Sequence, residues 1–142
     1  MMLTTKGRYA VMAILEMASK SNAKPITWNK MSVKQNISLN YLEQIFSKLK
    51  KADLVQAIRG SKGGYILIGN LAEIKMFDIM DAVNENFIMT TCYKQSVKTC
   101  VPDTIKCNSH KLWQGLGKHI RDYFENISIK DALNSNLNIW YI

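Results

Sequence analysis

Residues 38–68 read SLNYLEQIFSKLKKADLVQAIRGSKGGYILI and contain a helix pattern followed by a hairpin pattern. Ser38 can cap a helix that continues to Lys51, and the apolar residues of that helix recur with the spacing of one buried face. They are Leu39, Leu42, Ile45, Phe46 and Leu49. Two runs of β-forming residues, 54–58 and 65–68, then enclose a basic turn rich in glycine. This arrangement predicts a β-hairpin directly after the helix.

Two more helices are predicted before this stretch. The first begins at Thr4 or Thr5 and ends near Ser19, and Thr27 can cap a short second helix. The predicted apolar stripe of the first helix is Tyr9, Val11, Met12, Ile14, Leu15 and Ala18. A helix, a short helix-turn-helix and a hairpin, in this order, predict a winged helix-turn-helix. The third helix of that fold enters the DNA major groove, and the hairpin lies against the backbone or the minor groove.

The polar face of the third predicted helix has side chains that can read bases. Asn40 and Gln44 are four residues apart and therefore share a face, and amides of this type pair with adenine. Glu43 could accept a hydrogen bond from cytosine but would otherwise repel phosphates, which suggests selectivity. An ordinary solvated face is the alternative interpretation. The residues predicted to contact DNA from this helix are Ser38, Asn40, Tyr41, Glu43, Gln44 and Lys48.

The basic turn of the hairpin is the second predicted DNA contact. It lacks the spacing of a phosphate-binding P-loop and leads into a strand, whereas a P-loop leads into a helix. Its glycines would allow close approach to phosphates, and Arg59 could enter a narrow minor groove. A basic turn without any DNA contact is the alternative. The predicted wing residues are Arg59, Gly60, Ser61, Lys62 and Gly63.

The positive charge of the chain is confined to its first half. Residues 1–70 contain eleven Lys and Arg against three acids, a net charge of +8, whereas residues 71–142 contain eight of each. This segregation favours an anionic partner that docks on the N-terminal half. The N-terminus lacks the order of a signal peptide, and no apolar run is long enough to span a bilayer. A soluble cytoplasmic protein without a membrane partner is therefore expected.

The second half is predicted to be helical. Residues 73–83 have a helix pattern, and Ser128 with Asp131 resembles a capping box that opens a last short helix. Between them, residues 109–126 form a long amphipathic helix, and its aromatic stripe favours a dimer seam. That stripe is Leu112, Trp113, Leu116, Ile120, Tyr123 and Phe124. The predicted fold class is mainly α with a small β-hairpin. The predicted units are a DNA-binding domain (1–70), a connecting helix and loop (71–108), and a dimerisation helix with a C-terminal segment (109–142).

The connecting loop contains all three cysteines of the chain, and a histidine follows two residues after its end. Cys92, Cys100, Cys107 and His110 follow one another with gaps of seven, six and two residues. Zinc sites normally offer two tight pairs, whereas iron–sulfur clusters tolerate longer and uneven spacing. The spacing favours an iron–sulfur cluster over zinc, and both over a catalytic Cys–His pair. Three unrelated thiols are the remaining possibility.

These stretches together resemble the IscR family of bacterial iron–sulfur cluster regulators. The resemblance is carried by LTTKGRYAVMAILEMA, ISLNYLEQIFSKLKKADLV, RGSKGGYIL, DIMDAVNE and CNSHKLW, and it extends to about Asn134. The family lies within a superfamily of winged-helix regulators that also includes nitric-oxide-sensing and cysteine-metabolism repressors. A transcriptional regulator, and not an enzyme, is therefore expected.

The resemblance implies a homodimer, joined through the helix 109–126, on a palindromic operator. It implies a [2Fe–2S] cluster held by Cys92, Cys100, Cys107 and His110, supplied by the cluster assembly machinery, and control of cluster-biogenesis genes. It also implies that Glu43 and Gln44 discriminate between sequences and that the wing arginine reaches the minor groove. Backbone contacts are expected from the start of the first helix, at Thr4, Lys6 and Arg8.

Two positions depart from the family pattern. Asn40 stands where the family usually has Ser, and the first two cysteine gaps are longer than the usual five residues. Extra loop residues cost little closure entropy, about 0.6 kcal/mol per doubling of the length, so the four ligands are retained in the prediction. The alternative function is a nitric-oxide-sensing or redox-sensing repressor of the same superfamily, with a different cluster or none.

Overall fold

A computed structural model of the chain describes residues 3–20, 24–90 and 107–134. The helices of these ranges are α1 (Thr5–Ser19), α2 (Trp28–Gln35), α3 (Leu39–Lys51), α4 (Met76–Ala82), α5 (His110–Asn126) and α6 (Ile129–Leu133). The strands are β1 (Val55–Ile58) and β2 (Gly64–Leu67). The predicted fold class, a mainly helical winged helix-turn-helix with a long helix near its C-terminus, is confirmed. The predicted ligands Cys92 and Cys100 lie outside the described residues.

Each of the first three helices begins at the predicted cap. The hydroxyls of Thr4, Thr27 and Ser38 each accept the backbone N–H of the residue three positions later, at 3.2 to 3.4 Å. Such caps satisfy N–H groups that have no partner within the helix. The turn between α2 and α3 is closed by Asn36 in the left-handed region, at φ 52°. Asn tolerates this conformation better than most residues, so a tight helix-turn-helix can form here.

The hairpin of β1 and β2 is extended at one edge by a third backbone segment. Val55 lies opposite Leu67 in the antiparallel register, and Ile58 lies opposite Gly64. On the other side of β2, Ile26 and Tyr65 exchange two backbone hydrogen bonds of 2.9 Å. The wing, which we define as β1, β2 and the turn 59–63, is therefore fixed to the segment that leads into α2.

One face of α3 lies in the centre of the core. Four side chains of that face are almost fully buried: Leu42, Ile45, Phe46 and Leu49. The prediction that Leu39 is a fifth buried residue of this face is wrong, because Leu39 is 46% exposed. Leu39 is the first residue of the helix and precedes the first core residue, Leu42, by nearly a full turn. The remaining face of α3 is directed away from the core.

The predicted apolar stripe of α1 faces the core but lies mostly at its edge, where Tyr9, Val11, Leu15 and Ala18 pack against it. Of the six predicted residues only Ile14 is buried, whereas Tyr9, Val11, Met12, Leu15 and Ala18 are half-buried. The buried residues are Gly7, Ala10, Ala13, Ile14 and Met17. Small residues dominate this set, so α1 approaches its neighbours closely through a face that a search for large apolar residues does not detect.

The C-terminal elements pack back onto the N-terminal half. Helix α4 starts at Met76 and not near Glu73 as predicted, because residues 70–74 form turns in which Asn70 accepts the N–H groups of Ala72 and Ile74. The predicted capping box of Ser128 and Asp131 is confirmed. Backbone hydrogen bonds join these two regions, from Met76 N to Ile127 O (2.8 Å) and from Ile129 N to Ile74 O (3.0 Å). Ile129 is fully buried in the same core as α1 and α3.

Across the three described ranges, every helix is too short or too polar to cross a lipid bilayer.

Candidate DNA interface and cluster ligands

The outer face of α3 has the polar residues that the sequence predicts for base reading. Asn40, Glu43 and Gln44 are exposed on consecutive turns, whereas Lys48 and Tyr41 are half-buried. The ring of Tyr41 contacts the ring of Tyr9 edge to face, with 5.7 Å between centroids. The Ser38 hydroxyl is used for the cap, so the exposed amides and Glu43 are the groups most available to bases. We refer to α3 as the recognition helix.

The turn of the wing is open and basic. Arg59, Gly60, Ser61 and Lys62 are exposed, and Gly63 donates its N–H to Gly60 O at 2.9 Å. Gly60 has a φ of 113°, which residues with a side chain rarely adopt. A Cβ at Gly63 would come within 2.3 Å of Ile58 O. The turn therefore favours glycine at both positions, and the side chains of Arg59 and Lys62 face solvent.

Aromatic contacts connect the wing to the recognition helix. Tyr65 of β2 stacks on Trp28 with 5.3 Å between centroids and contacts Phe46 of α3 at 4.8 Å. Burial raises the pKa of Tyr65 above its usual value, and the charge of Glu43 raises it further. The carboxylate of Glu43 therefore acts electrostatically on Tyr65 of the wing. The two predicted DNA-contacting elements form one packed unit.

The start of α1 is held by a residue that sequence reasoning missed. Glu85, which follows α4, is only 8% exposed and accepts hydrogen bonds from both the backbone N–H and the hydroxyl of Thr4. Thr4, a predicted backbone contact, thus has its hydroxyl engaged within the protein. Lys6 is half-buried and Arg8 is exposed on the same first turns. The two residues of this contact are 81 positions apart, and no periodic pattern signals such a pair.

Of the four predicted cluster ligands, Cys107 and His110 are described, and one turn holds both of them. The N–H of His110 donates to Cys107 O at 3.0 Å, and the Cys107 thiol lies 3.4 Å from the hydroxyl of Ser109. His110 is the first residue of α5 and is 8% exposed. This turn places a thiol and an imidazole at the N-terminus of the long helix.

The predicted dimer face of α5 divides into two parts. Toward the N-terminus, Leu112, Trp113 and Leu116 are 64%, 40% and 42% exposed. Toward the C-terminus, Ile120, Tyr123 and Phe124 are half-buried, and Phe124 stacks on Phe87 at 5.4 Å. The C-terminal part is therefore used by the fold of this chain, whereas the first two turns present large apolar side chains to solvent.

The hairpin wing, the recognition helix and the basic N-terminal half define the class of this protein. It is a winged helix-turn-helix transcriptional regulator that binds DNA. The chain belongs to the Rrf2 family, described as iron-dependent transcriptional regulators, which it matches over residues 3–135.

Several relatives support this assignment. The chain is 41% identical to the HTH-type transcriptional regulator IscR of Vibrio vulnificus (strain YJ016) over 136 residues, which are 96% of this chain and 79% of that protein. Its fold is similar to T. potens IscR, with a TM-score of 0.75 and 26% identity, over 100% of this chain and 94% of that chain. It is also similar to CymR, the global cysteine regulator of B. subtilis, with a TM-score of 0.77 and 26% identity, over 95% and 98% of the two chains.

Proposed function

We propose that this regulator senses the supply of iron–sulfur clusters through a [2Fe–2S] cluster and controls cluster-biogenesis genes. The ligands would be Cys92, Cys100, Cys107 and His110. The observation that carries the proposal is the turn at the start of α5, in which the backbone N–H of the buried His110 donates to the carbonyl of Cys107 at 3.0 Å and brings the two residues together. The 41% identity to IscR of V. vulnificus supports the same function.

The donors of this turn fit an iron–sulfur centre chemically. Thiolate and imidazole are ligands of such clusters, and a set of three thiolates and one imidazole carries one negative charge less than four thiolates. The positive end of the α5 dipole lies at this turn and favours an anionic thiolate at Cys107. A bound cluster would respond to iron supply and to oxidants, because its ligands must be deprotonated and its irons can be lost.

The same end of α5 supports a homodimer. Leu112, Trp113 and Leu116 form an exposed apolar group within two turns of His110, and large exposed groups of this kind mark interfaces. Pairing of two copies through this group would place two recognition helices on one palindromic operator. In this arrangement the ligand turn and the dimer contact share helix α5. Binding or loss of the cluster at the ligand turn would therefore alter the relative placement of the two recognition helices. Apo and cluster-loaded dimers would then prefer different operators.

The cluster proposal predicts a coloured protein whose colour depends on the ligand turn. Anaerobic reconstitution with iron and sulfide should give a visible absorption band, with iron and sulfide in equal amounts. Cys107→Ser and His110→Ala should lose or weaken this band, because each removes a ligand. His119→Ala, a change of the other histidine on the same helix, is the control and should retain it. A colourless wild-type protein, or one that binds zinc alone, would refute the cluster.

The DNA proposal predicts a specific role for Glu43. Glu43→Ala should reduce discrimination between operator and random DNA by about 1–3 kcal/mol, the value of one good base contact. Affinity for random DNA should rise at the same time, because an acid that faces phosphates is removed. Asp53→Asn is the matched control, since it also removes one exposed acid from the basic half, at a turn position (φ 56°) that Asn tolerates. Titrations with both DNAs at two salt concentrations would measure these effects, and equal discrimination in both variants would remove the role of Glu43.

A second function is favoured by two observations. The similarity to CymR, the global cysteine regulator of B. subtilis, and the long gaps of seven and six residues between the cysteines fit a redox-sensing or nitric-oxide-sensing repressor with a different cluster or none. In that case operator binding would occur without iron and would respond to thiol oxidation or to nitric oxide. Operator titrations with these agents, before and after iron chelation, would distinguish the two functions.

A further inference from the structure

The carboxylate of Glu85 is bound at the start of α1. Its Oε1 accepts the backbone N–H of Thr4 at 3.3 Å, and its Oε2 accepts the Thr4 hydroxyl, which itself accepts the N–H of Gly7 at 3.2 Å. A carboxylate at this position interacts favourably with the positive end of the helix dipole. Glu85 therefore acts as an external cap for α1, supplied by a distant part of the chain.

Gly7 makes room for this cap. A Cβ at Gly7 would lie 2.5 Å from Glu85 Oε2 and 3.1 Å from the sulfur of Met80. Only a residue without a side chain allows the carboxylate to reach Thr4 in the present packing. Glycine is otherwise unfavourable inside a helix. The contact with Glu85 explains why it stands at position 7.

The contact joins two parts of the protein that carry different tasks. On one side, Lys6 and Arg8 lie on the first turns of α1, where contacts to the DNA backbone are expected. On the other side, the chain from Glu85 continues through Phe87, which stacks on Phe124 of α5, and then reaches Cys92 seven residues after Glu85. Displacement of this segment would pull directly on the cap of α1.

We propose that Glu85 is a positioning residue that holds the DNA-contacting end of α1 in place and ties it to the segment entering the cysteine loop. The proposal rests on the proposed function, since it concerns how DNA binding and the ligand loop are connected. Glu85 itself need not touch DNA. Its effect is exerted through Thr4 and, from there, on Lys6 and Arg8.

The first test uses the full chain without a cluster. Glu85→Ala should weaken operator binding about tenfold, and it should lower the salt dependence of binding by about one phosphate contact, because Lys6 and Arg8 lose their fixed placement. Glu85→Gln, which still offers an oxygen to Thr4, should recover most of the affinity. Asp81→Asn is the matched control, because it removes an exposed acid one turn earlier. Wild-type affinity and an unchanged salt slope in Glu85→Ala would overturn the proposal.

Gly7 offers an independent check of the same geometry. Gly7→Ala should expel the Glu85 carboxylate and reproduce the loss of affinity and of salt slope. Glu85→Ala combined with Gly7→Ala should bind about as weakly as either single variant, since the two changes remove the same cap and their losses should not add. Hydrogen exchange should show faster exchange of the first-turn amides of α1 in Gly7→Ala. Additive losses in the double variant would contradict the assignment.

The connection to the loop has a separate readout. In the wild type, reconstitution with iron and sulfide should change operator affinity. In Glu85→Ala the ratio of the affinities with and without the cluster should approach one, while the visible absorption is retained. A full response in Glu85→Ala would overturn the connection. If the wild type bound no operator or formed no cluster, the proposed function would fail instead, and the amide exchange would still report whether Glu85 caps α1.

Discussion

Phe46→Ala should destabilise the protein by about 3–5 kcal/mol, the usual cost of removing a buried phenyl ring. Phe46 is 1% exposed and lies between the core and Tyr65 of the wing, with 4.8 Å between the two ring centroids. Its removal leaves a cavity under the recognition helix and withdraws one support of β2. Since domains have only about 5–15 kcal/mol of stability, this variant should also bind operator poorly at 37 °C.

Chemical denaturation at one fixed protein concentration would measure the effect, because association changes apparent stability. Ser47→Ala is the control, since Ser47 is the next residue on the same helix and is exposed. Its free energy of unfolding should stay within about 0.5 kcal/mol of the wild type. A loss below about 1 kcal/mol in Phe46→Ala would mean that the ring does not support the core as the structure indicates.

Gly64→Ala should have the second largest effect, on both stability and DNA binding. Gly64 has a φ of 155°, and a Cβ there would lie 2.6 Å from Ile26 O. The substitution should cost about 3 kcal/mol or more, because backbone strain and overpacking each contribute about 1–3 kcal/mol. The most direct relief is to break the pairing of Ile26 with Tyr65, which would release one edge of the wing. Operator affinity should therefore fall with stability.

Gly60→Ala distinguishes the cost of backbone strain from the cost of a steric collision. Gly60 has a φ of 113°, but the space around its Cβ position is open to 4 Å. Its substitution should cost only the strain, about 1 kcal/mol. Thermal unfolding and operator titration of both variants would test this difference. Equal losses in the two variants would show that the contact with Ile26 is not the cause.

The sequence predicts the recognition helix and the wing well because their signals are local. Ser38 caps α3 by a bond to a residue three positions away, and the hairpin is defined by a short glycine-rich turn between two apolar runs. The buried face of α1 is predicted only in part, since Ala10 and Ala13 are buried for their small size. Small residues give no hydrophobic period, so the choice between two faces of α1 depends on its neighbours.

In the candidate site, too, local features are predicted from the sequence and contacts between distant residues are not. The polar face of the recognition helix can be read from a spacing of four between Asn40 and Gln44, and the structure places both in solvent. Glu85 could not be found in this way, because its partner Thr4 is 81 residues away. The roles of the cysteines, of His110 and of the DNA-facing side chains stay predictions, and the experiments above address them directly.

The burial of Ile129 has a consequence for how the protein is made. This side chain completes a core whose other residues come from the N-terminal elements and α4, and the bonds at Ile74 and Met76 hold it there. A ribosome releases the chain from the N-terminus, so the recognition helix emerges about eighty residues before the last piece of its own support. During that interval the apolar surface of the nascent chain is incomplete. Contacts this far apart also slow folding, so the nascent regulator stays accessible to chaperones and proteases until residue 129 has emerged.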